Sequence, residues 1–114
     1  MAAAFLPWEK WLARLLHPLA VALKRWLHQV RRQRSLARSE GWPQTEGTVQ
    51  WISWDSSFPR EEIRYYYCAE GEYYSGSCWR WFDSSNAREV KVGDRIVLRY
   101  SPEDAEKSVF LKFA

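Results

Sequence analysis

The residues whose side chains could do chemistry are two histidines, His17 and His28, two cysteines, Cys68 and Cys78, and the carboxylates Asp55, Asp83, Asp94, Glu103 and Asp104. Imidazole and thiolate together suit a tetrahedral metal, which needs its ligands gathered at one point. His17 and His28 stand about three helical turns apart, so on a straight helix they cannot share an ion. The cysteines form no CxxC pair, there is no GxSxG elbow, P-loop or GxGxxG run, and no serine after residue 40 has a nearby histidine to activate it. The carboxylates fall where turns favour Asp or a solvated charge, and their spacing selects no acid–base pair. The sequence therefore reads as non-enzymatic, with no cofactor, no metal and no evident small-molecule substrate.

The elements that carry these residues fall into two parts of opposite charge. The chain has 114 residues and a formal net charge of +3. Up to residue 40 there are eight basic residues against Glu9 and Glu40; from Gly41 onward nine basic residues meet twelve acidic ones. A basic arm, 1–40, is thus joined to a mildly acidic body, 41–114. With 46% hydrophobic and 27% charged residues the composition is globular, too apolar for a disordered chain and too poor in cysteine for a disulfide scaffold.

Residues 5–32, placed on a helix, gather Phe5, Trp8, Leu12, Leu15, Leu16, Leu19, Ala22, Leu23, Trp26, Leu27 and Val30 on one face. Lys10, Arg14, His17, Lys24, Arg25, His28, Arg31 and Arg32 take the opposite face, and Trp11 stands at a border. Pro18 has no N–H for the helical ladder, so a kink or break is expected near His17. The longest stretch without Asp, Glu, Lys or Arg runs only from Leu15 to Leu23, well short of the roughly 20 apolar residues a spanning helix needs. A signal peptide does not fit either, because Glu9 precedes the apolar stretch and basic residues rather than a small-x-small site follow it.

The arm is expected instead to lie in the plane of an anionic membrane surface, on the cytoplasmic side, peripheral rather than spanning. Phe5, Trp8, Trp11, Leu12, Leu16, Leu19, Leu23, Trp26 and Leu27 would insert, and Lys10, Arg14, Lys24, Arg25, Arg31 and Arg32 would be attracted to headgroups. The same face could pack on the arm's own domain, on another protein or on a second copy of the arm.

From Gly41 the chain turns to β-branched and aromatic residues broken by Gly, Pro, Asp and Ser. Strands are expected at about 46–54, 62–70, 72–82, 95–100 and 107–113. The fold expected is mainly β, a small antiparallel barrel or sandwich of about five strands preceded by the amphipathic helical arm. Glu70-Gly71 is the expected two-residue hairpin loop, which sets Cys68 opposite Tyr73 and Cys78 opposite Ile63. The cysteines then lie on opposite faces, too far apart for a disulfide, and two free thiols and a reducing compartment are expected. Gly47, Gly71, Gly76, Gly93 and Pro102 read as turn and bulge positions. Rings crowd both faces of this hairpin, and Tyr66, Trp79 and Trp81 are the candidates for an outward partner surface.

Trp42-Pro43, Gly47 and Val49, then Tyr65-Tyr66-Tyr67, Gly71, Tyr74 and Gly76, then Gly93-Asp94, Ile96-Val97-Leu98, Tyr100, Pro102 and Ser108-Val109 form an ordered set. Over residues 42–111 this set resembles the largely bacterial family called domain of unknown function 3592. The resemblance implies a small β domain attached to one or more transmembrane helices, with no established catalytic residues. This chain departs from that pattern in carrying the charged arm where a spanning helix would stand, and Ala105 where a second proline is common.

Arm physics and resemblance converge on a membrane-associated interaction or scaffolding protein. The alternative is a binding module for single-stranded nucleic acid or a partner protein, its arm used for dimerisation. The net acidity of the body and the width of the apolar face weigh against nucleic acid, which would use only the basic side of the arm.

Overall fold

A computed structural model describes residues 7–82 and 89–114, and within the helix it describes the side chains of Arg14 and of Leu16 onward. Phe5 and Asp83 lie outside the described residues, as do the side chains of Trp8, Lys10, Trp11, Leu12 and Leu15. The chain forms two compact units, Met1–Gln33 and Arg34–Ala114.

The first unit is most of helix α1, Pro7–Arg38. Its opening residue is proline, whose missing N–H costs nothing in the first turn. The helix is continuous through Pro18 rather than broken there. Proline removes one ladder bond, but the flanks are rich in Ala, Leu, Lys and Arg, the strongest helix formers, and these carry the helix past it. At the C-terminus, the Ser39 N–H bonds the Ser35 carbonyl at 3.0 Å and Gly41 takes φ +86°, the left-handed conformation that ends helices. The Leu36 carbonyl accepts from Ser39 Oγ at 3.2 Å and from Arg99 Nη1 at 3.3 Å, satisfying a group the helix end would leave open.

The second unit is built on five antiparallel strands, β1 Gln44–Trp54, β2 Arg60–Ala69, β3 Glu72–Trp81, β4 Arg95–Tyr100 and β5 Ser108–Phe113. They form one sheet in the order β3-β2-β1-β4-β5, curled into a half-barrel. The expected hairpin is present, with Ala69 opposite Glu72, Cys68 opposite Tyr73 and Ile63 opposite Cys78. Glu70 and Gly71 have φ of +54° and +83°, both positive, as a type I′ turn requires. Neither cysteine is in a disulfide; Cys68 is exposed and Cys78 packs against the core.

Along β2 burial alternates strictly. Ile63, Tyr65, Tyr67 and Ala69 point into the concave side, where they meet Val49, Val90, Ile96 and Leu98. Two buried tyrosines keep their hydroxyls bonded across the fold, Tyr65 to Ser108 Oγ at 2.7 Å and Tyr67 to the Ala105 carbonyl. Gly47 and Gly76 lie inside strands rather than at turns. A Cβ on Gly76 would stand 2.5 Å from Ser108 Oγ and 2.7 Å from Tyr65 Oη, so the absence of a side chain lets β3 come over β5 there.

Candidate functional site

On the arm, Leu16, Leu19, Leu23 and Trp26 follow one another at steps of three, four and three, the spacing of one helical face. They are 56, 65, 58 and 58% exposed. Isolated surface leucines are ordinary; these four form one contiguous exposed apolar stripe. Of the remaining residues assigned to this surface, Leu27 is half-buried; Arg14, Lys24 and Arg31 are exposed, and Arg25 and Arg32 half-buried. No helix among the described residues is long and apolar enough to cross a membrane.

On the β unit, the outward side of β1, β2 and β3 carries rings interleaved with arginines. Tyr66 and Trp79 lie there, both partly exposed. Trp81 does not present its ring to solvent; it is only 6% exposed. The bend after β1 brings Phe58 to 5.9 Å from the Trp81 ring, and the Arg60 guanidinium sits 5.5 Å above it. Arg60 also stacks on Trp79 at 4.0 Å, and Arg64 on Trp51 at 4.7 Å.

Each of these arginines is held from a second side. Arg60 Nε donates to Asp55 Oδ2 at 2.7 Å, and Arg64 Nε to Glu62 Oε1 at 3.1 Å. The Ser57 N–H, 2.8 Å from Asp55 Oδ1, and the Arg60 guanidinium hold the Asp55 carboxyl below its ordinary value. Inside the sheet Arg80 and Glu61, both buried, pair at 3.2 Å. Each of these arginines is thus paired with a carboxylate, Arg60 with Asp55, Arg64 with Glu62 and Arg80 with Glu61.

Sequence alternation alone assigns Trp51 to the wrong side. Counting in twos from buried Val49 would place it inward, but the register shifts between Val49 and Trp51, so Trp51 pairs with Arg64 on the outside and Ile52 with Ile63 on the inside. Trp54, 71% exposed and stacked on Phe82 at 4.7 Å, and Tyr73, 77% exposed, complete the outer rings. Comparison with known proteins finds no matching family model, no matching curated protein and no matching solved structure.

Proposed function

We propose that this chain is a non-enzymatic, membrane-associated interaction or scaffolding protein whose arm docks on an anionic inner leaflet and presents a small β unit. The observation that carries this reading is the exposed stripe Leu16, Leu19, Leu23 and Trp26 on a helix that also carries Arg14, Lys24 and Arg31 in solvent. Burying the exposed part of one such side chain is worth about 1.5 kcal/mol, and each basic residue near an anionic leaflet adds about 1 kcal/mol. A bilayer surface satisfies both faces of this helix at once: acyl chains take the leucines and lipid phosphates take the guanidinium and ammonium groups. A purely apolar protein groove would satisfy the leucines alone; only one rimmed with carboxylates would also take the basic face.

Co-sedimentation of the full chain with vesicles tests this directly. Binding is expected with anionic lipid at low salt, with a marked loss in high salt or on purely zwitterionic vesicles, because headgroup attraction is screened within a Debye length. Absence of pelleting with anionic lipid at low salt would contradict the proposal, as would binding indifferent to both salt and lipid charge.

A further inference from the structure

The two edges of the half-barrel are unequal. Because neighbouring strands alternate in direction along the order β3-β2-β1-β4-β5, β3 and β5 run the same way. A ladder between them would have to be parallel; they meet instead through Tyr65, Ser108 and Gly76. Strand β5 is a poor template for a further strand: it has six residues, its pairing with β4 shifts register between Val97 and Leu98, and it carries Lys112. Short length, irregularity and lysine are the devices by which proteins blunt a sheet edge.

Strand β3, by contrast, has ten residues in unbroken register with β2 and contains neither proline nor lysine. Its inward charge, Arg80, is already neutralised by Glu61. The hairpin determines which of its backbone groups face outward. In a two-residue loop the closing pair, Ala69 and Glu72, exchanges hydrogen bonds, so the even-numbered residues of β3 face β2. The bond from the Phe82 N–H to the Pro59 carbonyl, 2.9 Å, continues the same phase. The N–H and C=O groups of Tyr73, Ser75, Ser77 and Trp79 are therefore directed away from β2, along the edge.

We infer that β3 is a self-pairing edge, and that two copies of this chain join β3 to β3 in antiparallel register about Gly76. The sequence of the strand is complementary to its own reverse about that residue. Ser75 falls opposite Ser77 of the second copy, Tyr73 opposite Trp79, Tyr74 opposite Cys78, and Glu72 opposite Arg80, so that rings meet rings, hydroxyls meet hydroxyls and no like charges are opposed. The phase is also right, because the pairs 75 with 77 and 73 with 79 join odd-numbered residues, whose backbone groups point outward. Pairing covers the exposed rings of Tyr73 and Trp79 and extends two five-stranded sheets into one of ten. Each dimer brings two arms, which raises avidity for any surface the arm binds; the dimer itself does not depend on the membrane proposal.

Sedimentation velocity of the full chain, its Ser77→Pro variant and its Leu16→Glu/Leu23→Glu variant tests the inference. Proline at 77 removes an outward donor while leaving the ladder to β2 intact. The wild-type chain and the arm variant are expected as dimers, and Ser77→Pro as a folded monomer. A monomeric wild type, a folded Ser77→Pro dimer, or a dimer lost only in the arm variant would overturn the inference. Should Ser77→Pro not fold, oxidation of Ser75→Cys/Ser77→Cys in a Cys68→Ser/Cys78→Ser background decides instead. The paired Cα atoms would lie about 5.5 Å apart, within disulfide reach, and a disulfide-linked dimer is expected; failure to cross-link would overturn the register.

Discussion

Replacing Leu16 and Leu23 with glutamate is expected to weaken binding to anionic vesicles by about 100-fold or more. Each leucine contributes about 1.5 kcal/mol of transfer from its exposed surface, so two contribute about 3 kcal/mol, and each factor of ten corresponds to 1.4 kcal/mol. The introduced carboxylates add repulsion from the leaflet. The β unit should be untouched, since both positions belong to the first compact unit. Vesicle co-sedimentation measures the loss, and near-ultraviolet circular dichroism checks the fold. Binding retained within a few-fold of wild type would show that this face of the arm does not insert.

The second large effect lies in the β unit. Gly76→Val is expected to cost about 3 kcal/mol, because forcing methyl groups into a filled interior costs typically 1–3 kcal/mol and more when backbone must move. The new Cβ would collide with Ser108 Oγ and with Tyr65 at both Oη and Cε2, all within 2.8 Å. Tyr65 is fully buried and cannot swing away without opening the core. For a unit of this size the fall in Tm is on the order of 15 °C. Gly71→Ala is the internal comparison: nothing lies within 4 Å of its Cβ, and only φ +83° opposes a side chain, so its cost is about 1 kcal/mol. Thermal unfolding of the two variants measures the difference; equal stabilities would show that β3 and β5 do not meet at Gly76.

The features legible in the sequence are those set by local periodicity. The 3.6-residue repeat of Leu16, Leu19, Leu23 and Trp26 defined the arm's face, and the two-residue turn at Glu70-Gly71 settled the β2–β3 register through to Cys78. That register by itself sets the two cysteines on opposite faces. The features not legible depend on contacts distant in sequence or on a single inserted residue. The register shift before Trp51 reverses which side its ring faces, and alternation carries no sign of it. Trp81 is covered by Phe58 and Arg60 from the far side of a bend. Pro18 signalled interruption by a local rule, and the strong helix formers around it prevailed. Gly76 read as a turn because glycine usually marks one; its role came from the curl that brings Ser108 beneath it.

Entry of the arm's apolar stripe into lipid is read out by an environment-sensitive fluorophore attached at Leu19→Cys and, separately, at Lys24→Cys, each in a Cys68→Ser/Cys78→Ser chain. On anionic vesicles the probe at 19 is predicted to shift to the blue and resist aqueous quenchers, while the probe at 24 stays close to its spectrum in water. A probe at 19 that remains in water when the protein is vesicle-bound, or one indistinguishable from that at 24, would show that the stripe does not enter the lipid.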